Sequence, residues 1–420
     1  MKYFALLLSL ALVACGTNRS SEQNSKDPKA QLQQDIELLA SDSLEGRQTG
    51  TEGEKMAADY IGGRMANLGL QAKGDSSYFQ DFTKNPKAVP HKMDRGDSTT
   101  LGMGTVKPVT GRNVIGYLDK NAEKTIVIGA HYDHLGYGGA GSLFTGDSAI
   151  HNGADDNASG VAALLLLAER LKQKELNNNV LFIAFSGEEN GLWGSNYFTK
   201  NPTIPLEEIN YMLNMDMVGR LKEDRTVAIN GVGTSPAWMP MLDSISVDSI
   251  KIVTTESGVG PSDHTSFYNE GLPVLHFFTG QHEDYHKPTD DFDKINYEGI
   301  LSVVEFMETV IENLEDDGKL EFTKTKDQSA SDTPAFKVTL GVVPDYLFDG
   351  EGMRIDGTSD GRPAANAGIQ KGDVVVQMGD LEITDMMTYM EALGKFEPGQ
   401  TVEVKVKRDG EIKSFDVTFD

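Results

Sequence analysis

Cysteine is almost absent from this 420-residue chain, in which Cys15 is the only one. A single cysteine excludes an internal disulfide, so stability must come from packing and, where present, from bound metal. Basic residues are also scarce, with 38 Lys and Arg against 64 Asp and Glu and a formal charge of −26. A chain this acidic does not neutralise phosphate groups, which argues against a nucleic-acid partner.

Long apolar runs are lacking as well. The apolar stretch from Phe4 to Val13 follows Lys2 and is shorter than the roughly 20 residues that a membrane-spanning helix needs, which is typical of a cleaved export signal. It ends in Leu12-Val13-Ala14-Cys15, which resembles the lipobox of bacterial lipoproteins, whose cysteine becomes the lipidated first residue of the mature protein. We therefore expect a signal peptide over 1–15 and a polar tether over 16–30. The expected location is a bacterial membrane, in the periplasm or at the cell surface, with the lipid as anchor.

The length exceeds what one hydrophobic core usually serves, so two folded units are expected. No repeat with a period typical of a solenoid or propeller is visible. Residues 315–333 are charged and rich in Ser and Asp without periodicity, which indicates a linker. The predicted domains are therefore 31–314 and 334–420.

Strands and helices alternate through the first unit. Apolar strand-like runs cover Thr125 to Ala130, Asn179 to Phe185, Ile209 to Met215 and Pro273 to Phe278, and helical periodicity covers Asn157 to Leu171 and Tyr297 to Leu314. This order predicts an α/β fold with a mostly parallel central sheet and helices on both faces. Such sheets bind ligands beyond the carboxyl ends of their strands.

Residues with metal-binding chemistry fall at those strand ends. They are His131, Asp155, Glu189, Asp216 and His286. Imidazole and carboxylate together suit zinc or a similar divalent ion, and a carboxylate shared by two ions holds them about 3.5–4 Å apart. Asp155 is the expected bridging residue.

Two further acids lie beside these residues. Asp133, two positions after His131, is expected to accept a hydrogen bond from the second imidazole nitrogen. Glu188 and Glu189 are adjacent and cannot point the same way in extended backbone. One is therefore expected to bind metal while the other faces the reacting water.

Five segments in this order carry a family resemblance: HYDHLG, NGADDNASG, FSGEENGLWGS, NMDMVGR and DYHKPTD. Over about Gln31 to Asn313 the chain resembles the bacterial di-zinc aminopeptidases, whose wider relatives include glutamate carboxypeptidase and glutaminyl cyclase. The resemblance implies a zinc exopeptidase fold. It also implies two Zn²⁺ ions, one bound by His131 and Asp216 and the other by Glu189 and His286, with Asp155 between them.

The resemblance further implies the chemistry. Glu188 would be the general base, Tyr285 would hydrogen-bond the developing oxyanion, and a cis peptide bond would follow the bridging aspartate, at Asp155-Asp156. The substrates would be peptides with a free N-terminus, whose α-ammonium group the carboxylates receive. Bound zinc would activate the attacking water.

Other assignments depend on weaker patterns. The segment containing Asp263 and Phe267 resembles the family's substrate-pocket segment, which implies an apolar pocket for Leu, Met or Phe. Packing or hydrogen bonding to the ligands is expected of His134, His151, His264, His276 and His282. The alternatives are a carboxypeptidase, a glutaminyl cyclase or a non-catalytic binding module with the same fold.

The segments GVVPDY, GRPAANAGIQKGDVVVQMGD and PGQTVEVKVKRDG resemble a PDZ domain of the bacterial protease type, small and rich in β-strands. PDZ domains bind a peptide as an added strand and hold its terminal carboxylate with backbone N–H groups. In the corresponding loop Pro344 removes a donor and Asp345 adds a negative charge. A docking or structural role is therefore as consistent with the sequence as peptide binding.

Overall fold

The computed structural model describes residues 27–84, 91–93, 100–102, 107–139, 141–245, 250–325, 338–345, 348, 350–358, 361–384 and 386–419. The predicted signal peptide, Cys15 and residues 16–26 of the predicted tether lie outside these ranges. Residues 326–333 of the predicted linker also lie outside them. Within the described residues no helix is both long and apolar enough to cross a membrane.

The first unit alternates helices and strands. Its helices are α1 (Pro28–Leu39), α2 (Glu52–Asn67), α3 (Gly160–Lys172), α4 (Trp193–Lys200), α5 (Trp238–Ser244), α6 (His264–Tyr268) and α7 (Tyr297–Asn313). Its strands are β1 (Gln71–Ala72), β2 (Phe79–Lys84), β3 (His91–Met93), β4 (Thr100–Gly102), β5 (Val109–Leu118), β6 (Lys124–His131), β7 (Asn178–Phe185), β8 (Ile209–Met215), β9 (Thr226–Asn230), β10 (Lys251–Thr255) and β11 (Val274–Phe278).

The central sheet has the strand order β1-β5-β7-β6-β8-β11-β9-β10, with β2 also paired to β5, in the part of the chain that the structure describes. The four middle strands β7, β6, β8 and β11 are mutually parallel. Strand β5 runs antiparallel to β7, and β9 runs antiparallel to β11. The sheet is therefore mixed, with the predicted parallel arrangement at its centre.

Side chains from the middle strands alternate between two hydrophobic clusters. In β7, Val180 and Phe182 contribute to the cluster that α1, α3 and α7 cover, whereas Leu181 and Ile183 contribute to the cluster that α4 and α6 cover. Alternate residues of a strand point to opposite faces, so a strand that is apolar throughout is buried on both faces. This explains the continuous apolar runs and confirms the helices on both faces.

A side-chain cap marks the start of helix α2. The Thr51 hydroxyl accepts a hydrogen bond from the Glu54 backbone N–H at 3.3 Å, as in a capping box. The Glu54 carboxylate accepts bonds from the Gly50 and Arg112 backbone N–H groups and from the Ser186 hydroxyl. This buried carboxylate therefore ties the start of α2 to β5 and to the loop after β7.

The first part of the predicted linker packs on the first unit. Leu320 is buried in the core of the first unit, and Phe322 packs against it. The Thr323 backbone N–H donates to the Thr234 carbonyl at 2.8 Å. Two apolar side chains and backbone hydrogen bonds, including one from the Leu320 N–H to Asn210 Oδ1 at 2.8 Å, hold this otherwise charged segment on the first unit.

The second unit has its own hydrophobic core within Val338 to Phe419. Strands β12 (Val342–Pro344), β13 (Met353–Thr358), β14 (Val374–Met378), β16 (Thr401–Arg408) and β17 (Glu411–Thr418) pair in that order, and β15 (Leu381–Glu382) pairs with β14. Helices α8 (Pro363–Ala367) and α9 (Met386–Leu393) complete it. The boundaries 31–314 and 334–420 stay predictions.

Asp345 forms an ion pair with Arg354. The sequence places this residue in the peptide carboxylate loop as an unfavourable charge. Its carboxylate accepts hydrogen bonds from the Arg354 guanidinium, with Nε at 2.7 Å. Pro344 lies in β12, and Tyr346 of the same loop lies outside the described residues.

Candidate metal centre

The sequence-predicted residues meet beyond the carboxyl ends of the middle strands. His131 ends β6, Glu188 and Glu189 follow β7, Asp216 follows β8 directly, and His286 lies in the loop after β11. Together they line one cavity of about 80 Å³. The strand register therefore brings residues from four chain segments to one edge of the sheet.

One half of the cluster is centred on His131. Its Nε2 lies 3.3 Å from Asp156 Oδ1 and 3.3 Å from Asp216 Oδ1. Its Nδ1 lies 3.2 Å from the Asp133 carbonyl oxygen. Burial lowers the pKa of His131, but the Asp216 and Glu188 carboxylates raise it well above its ordinary value. The carboxylates around this ring therefore favour a positive charge at this position, either a proton on the ring or a bound cation.

The other half is centred on His286. Its Nε2 lies 3.2 Å from Asp156 Oδ2 and 3.4 Å from Glu189 Oε2. Its Nδ1 donates to the Gly141 carbonyl at 2.7 Å. The two oxygens of Asp156 thus face two different imidazoles, which places this carboxylate between the two halves of the cluster.

The predicted bridging residue, Asp155, is not at this position. Its Oδ1 accepts from the Gly219 backbone N–H at 2.6 Å and from the Ser159 hydroxyl at 3.0 Å, and its Oδ2 lies 3.1 Å from His282 Nε2. Because Asp155 and Asp156 are adjacent, only one of them faces the cluster. The cis peptide bond is Asp156-Asn157, one position later than expected.

Neighbouring side chains fix the turn that presents Asp156. Asp290 accepts hydrogen bonds from the backbone N–H groups of Asp155 at 3.0 Å and Asp156 at 3.1 Å. The Asn157 amide donates to the Met215 carbonyl and accepts from the Met217 backbone N–H, on either side of Asp216. The turn before α3 and the end of β8 are thereby held together.

His134 also reaches the cluster, which the sequence did not predict beyond a supporting contact. Its Nδ1 lies 2.7 Å from Glu189 Oε1 and 3.9 Å from Asp156 Oδ2. His134, Asp156 and Glu189 form a second group whose ligand atoms lie close enough to hold an ion. Its position three residues after His131, in the loop leaving β6, is the signal that could have identified it.

The donor set fits divalent cations. The Nδ1 atoms of His131 and His286 are engaged by carbonyl oxygens, so in the neutral rings the Nε2 lone pairs face carboxylate oxygens. Such a contact between two lone pairs is unfavourable unless a proton or a metal ion lies between the nitrogen and the oxygen. The distances of 3.2–3.4 Å between the imidazole Nε2 atoms and the carboxylate oxygens also match a tetrahedral zinc site. Zinc–ligand bonds of about 2.0–2.1 Å place two ligand atoms roughly 3.3 Å apart.

Ion pairs support the same conclusion. Every ion pair described for Asp156, Glu189 and Asp216 is with a histidine. Burial raises the pKa of Asp156, but its contacts with His131 and His286 hold it well below its ordinary value. The residues that could hold two ions are therefore His131 and Asp216, Glu189 and His286, with Asp156 shared and His134 beside Glu189.

Asp133 supports the site differently from the prediction. Its carbonyl, not its carboxylate, is the hydrogen-bond partner of His131, because the carboxylate Oδ1 lies 3.7 Å from Nδ1. The carboxylate instead accepts from the Thr49 hydroxyl at 2.9 Å and from the Glu188 backbone N–H at 3.1 Å. Asp133 thereby holds the backbone at Glu188.

Glu188 and Tyr285 both line the cavity. Burial raises the pKa of Glu188 well above its ordinary value, and the Asp216 and Glu189 carboxylates raise it further. The Tyr285 ring stacks on His286 with a centroid distance of 3.8 Å. A carboxylate and a phenol are therefore available beside the candidate ligands.

The two predicted substrate-binding residues do not line this cavity. Phe267 is buried between Phe185 and Phe198, with ring centroids 6.0 and 5.8 Å away, in the core beneath α4 and α6. Asp263 is also fully buried. Because α6 lies on the sheet face, its apolar side chains pack into the core and not into the site.

A central sheet with a histidine–carboxylate cluster at its strand ends is typical of α/β domains that bind metal ions. Residues 113–311 match the model of peptidase family M28, and residues 327–419 match the PDZ domain model. The chain therefore carries an M28 peptidase domain followed by a C-terminal PDZ domain, as its motifs predicted.

Curated relatives resemble the first domain. The chain is 27% identical over 246 residues to the uncharacterized protein YfbL of Escherichia coli, covering 49% of this chain and 73% of that protein. It is 27% identical over 217 residues to aminopeptidase YwaD of Bacillus subtilis, covering 47% of this chain but 44% of the relative. The match thus spans less than half the length of that aminopeptidase.

Solved structures show the same fold. An aminopeptidase from Aneurinibacillus sp. strain AM-1 has a TM-score of 0.54 at 18% identity, over 72% of this chain and 96% of that one. A glutaminyl cyclase from Bacteroides thetaiotaomicron has a TM-score of 0.50 at 17% identity, over 68% of this chain and 97% of that one. At these identities the likeness concerns fold alone.

Proposed function

We propose that this protein is a zinc-dependent aminopeptidase that removes N-terminal residues from peptides. The observation that carries the proposal is the position of Asp156, whose two carboxylate oxygens face the imidazoles of His131 and His286 in one cavity with Glu188. The M28 match and the aminopeptidases among the relatives support the reaction class. Bound zinc would activate the attacking water and polarise the scissile carbonyl.

The proposed zinc ligands are the imidazoles and carboxylates that lie closest to one another in the cavity. His131 and Asp216 would hold one ion, Glu189 and His286 the other, and Asp156 would be shared by both. The carbonyl oxygens of Asp133 and Gly141 fix the two rings by accepting their Nδ1–H bonds. Such partners orient ligand imidazoles and set their tautomers.

Glu188 would act as the general base. It takes a proton from the attacking water and delivers it to the leaving amine. Its backbone is held by the Asp133 carboxylate, which the Thr49 hydroxyl holds in turn. The Tyr285 hydroxyl would donate a hydrogen bond to the carbonyl oxygen as that oxygen gains negative charge.

The free α-ammonium group of the substrate fits the charge of the cavity. Asp156, Glu188, Glu189 and Asp216 line it, and no Lys or Arg is among the described residues around it. A cation is favoured beside carboxylates in a site sheltered from water. An N-acetylated peptide offers a neutral amide at that place and should bind less well.

The test compares a peptide with its N-acetylated form, using zinc-loaded full-length protein and the variant Glu188→Gln. We expect release of the first residue from the free peptide only. The variant should keep its metal and lose turnover by about 10²–10⁴-fold, the usual range for general-base catalysis. Equal cleavage of both peptides would contradict an aminopeptidase, and a near-normal rate in Glu188→Gln would contradict the assigned base.

We also propose that the mature protein is an exported lipoprotein anchored through Cys15. The support is the sequence Leu12-Val13-Ala14-Cys15 after a short apolar stretch. A lipid modification of this kind holds a protein on a membrane without a spanning helix. Cys15→Ser should release the protein from the membrane fraction of a bacterial host, and undiminished membrane recovery would contradict the anchor.

A further inference from the structure

The cavity extends from the candidate metal centre into a pocket with mixed walls. Met217, Pro261 and Phe278 form its apolar part, and Asn230, His276 and Gln281 form its polar part. The cavity volume of about 80 Å³ holds several water molecules at roughly 10–15 Å³ each. A pocket of this kind, beside the reacting centre, receives one side chain of a substrate.

Strand register creates the polar wall. His276 in β11 lies directly opposite Asn230 in β9. The Thr255 hydroxyl donates to Asn230 Oδ1 at 2.7 Å, which leaves the amide nitrogen of Asn230 facing His276 Nδ1 at 3.1 Å. Because that nitrogen is a donor, His276 Nδ1 must accept.

This hydrogen bond determines the tautomer of His276. Burial lowers the pKa of His276 to about 4, so the ring is neutral near pH 7. With Nδ1 accepting, the single proton of a neutral imidazole resides on Nε2. The His264 ring stacks on His276 at 4.6 Å with an interplanar angle of 10° and fixes its plane. The pocket wall therefore contains an oriented N–H donor.

Neither that donor nor an acceptor that lines the same cavity is used within the described part of the protein. His276 Nε2 and Gln281 Oε1 are buried and have no hydrogen-bond partner among the described residues. The two side chains are 3% and 7% exposed. A buried polar group without a partner costs about 1–3 kcal/mol, so a ligand that satisfies both atoms gains affinity over one that does not.

We infer that this pocket selects peptides whose first residue has a side-chain carboxamide, asparagine or glutamine, over apolar residues of the same size. The inference rests on the proposed aminopeptidase function and names its substrate class. A carboxamide carries a carbonyl that accepts from His276 and an amino group that donates to Gln281. Its stem packs against Met217 and Phe278.

Charged and apolar side chains fit the same walls less well. A carboxylate would face the acceptor Oε1 of Gln281 and the carboxylates of the metal centre, and an ammonium group has no acceptor for the His276 N–H. Leucine and methionine would leave both protein atoms unpartnered. Sites built to hydrogen-bond a substrate group discriminate strongly against analogues that lack it.

The experiment measures kcat/KM of zinc-loaded full-length protein for two isosteric pairs of peptides, Asn against Leu and Gln against Met at the first position. We expect the carboxamide substrate of each pair to be preferred by about 10- to 100-fold, the equivalent of one or two lost hydrogen bonds. His276→Phe keeps the ring and removes the donor, so the preference should collapse. The matched control His264→Phe keeps the stacked ring outside the pocket and should keep the preference.

The outcomes are distinguishable. Equal or better cleavage of the Leu and Met peptides by unaltered protein would overturn the inference and leave the aminopeptidase assignment intact. Cleavage of none of the four peptides would instead count against the proposed function, and cyclisation of the Gln peptide without chain shortening would replace it with a cyclase. If His276→Phe does not fold, Gln281→Met serves as the second variant, and an unchanged preference in it would count against the carboxamide contact.

Discussion

Two buried carboxylates, Asp373 in the PDZ domain and Asp156 in the peptidase domain, have different kinds of partner. In the PDZ domain the Asp373 side chain is fully buried, and the Arg408 guanidinium holds it through two hydrogen bonds of 2.6 Å. In the peptidase domain Asp156 is 3% exposed, and its ion pairs are with histidines at 3.2–3.9 Å.

The difference distinguishes a carboxylate that stabilises the fold from a carboxylate that is available to bind a ligand. A buried carboxylate with a two-pronged arginine partner is neutralised within the chain, and removing the partner leaves an uncompensated charge. A buried carboxylate between two imidazoles is neutralised only when those rings are protonated or when a metal ion is bound. The second arrangement is the one that a bound metal ion would complete.

Metal removal should have the largest effect. Treating the full-length protein with a chelator should lower peptide cleavage by roughly 10³-fold or more, because a divalent ion contributes several kcal/mol to transition-state stabilisation. The metal content before treatment should be close to two equivalents of zinc, measured by elemental analysis. Full activity at one equivalent would contradict a shared Asp156 and favour a cyclase-like centre.

The PDZ ion pair should respond to substitution and not to chelation. Arg408→Ala leaves Asp373 buried without its partner, which should destabilise the PDZ domain by about 3–5 kcal/mol. Both tryptophans, Trp193 and Trp238, lie in the peptidase domain, so hydrogen exchange of β14 and β16 peptides is the suitable measurement.

Lys405→Ala is the matched control for that measurement. Lys405 is on the same strand as Arg408, and its Nζ lies 3.7 Å from Glu403 Oε2. The Glu403 side chain is 49% exposed. Exposed pairs contribute about 0–1 kcal/mol. Equal losses of hydrogen-exchange protection in the two variants would show that burial does not distinguish the two ion pairs. A loss of protection caused by chelator alone would link the PDZ domain to the metal centre.

Deleting the PDZ domain should have the smallest effect on short peptides. Each domain has its own hydrophobic core, and the cavity is lined by residues of the peptidase domain. A chain ending at Thr325, which retains Leu320 and Phe322 on the first domain, should cleave short peptides within about twofold of the full chain. Loss of that cleavage would show that the PDZ domain helps to build the active site.

Local patterns were sufficient for much of the fold. The predicted strand Ile209 to Met215 matches β8, and the predicted run Asn179 to Phe185 lies within β7, because both apolar runs are long and end at polar residues. Strands β9 and β10 were missed. Strand β9 is a short run that begins and ends on polar residues, and β10 lies at the sheet edge, half-exposed and without a clear apolar pattern.

The site shows where local patterns are insufficient. Motif order indicated the strand ends and the residue types, but two adjacent aspartates are equivalent in sequence until the turn that holds them is known. Asp290 and Gly219 decide which one faces the cluster, and both are more than sixty residues away. Phe267 was assigned to the pocket because its segment resembled one, whereas Asn230 and His276 reach it through strand pairing.

The most direct test of the account compares Asp156→Asn with Asp155→Asn, measuring zinc content and cleavage of a short peptide in parallel. Asp156→Asn removes one of the two carboxylate oxygens between the imidazoles and should lose at least one zinc equivalent together with nearly all activity. Asp155→Asn keeps an oxygen for the Gly219 and Ser159 donors and should retain both ions with a smaller loss of rate. The assignment of Asp156 as the shared ligand would be contradicted if Asp155→Asn lost its metal while Asp156→Asn kept two ions.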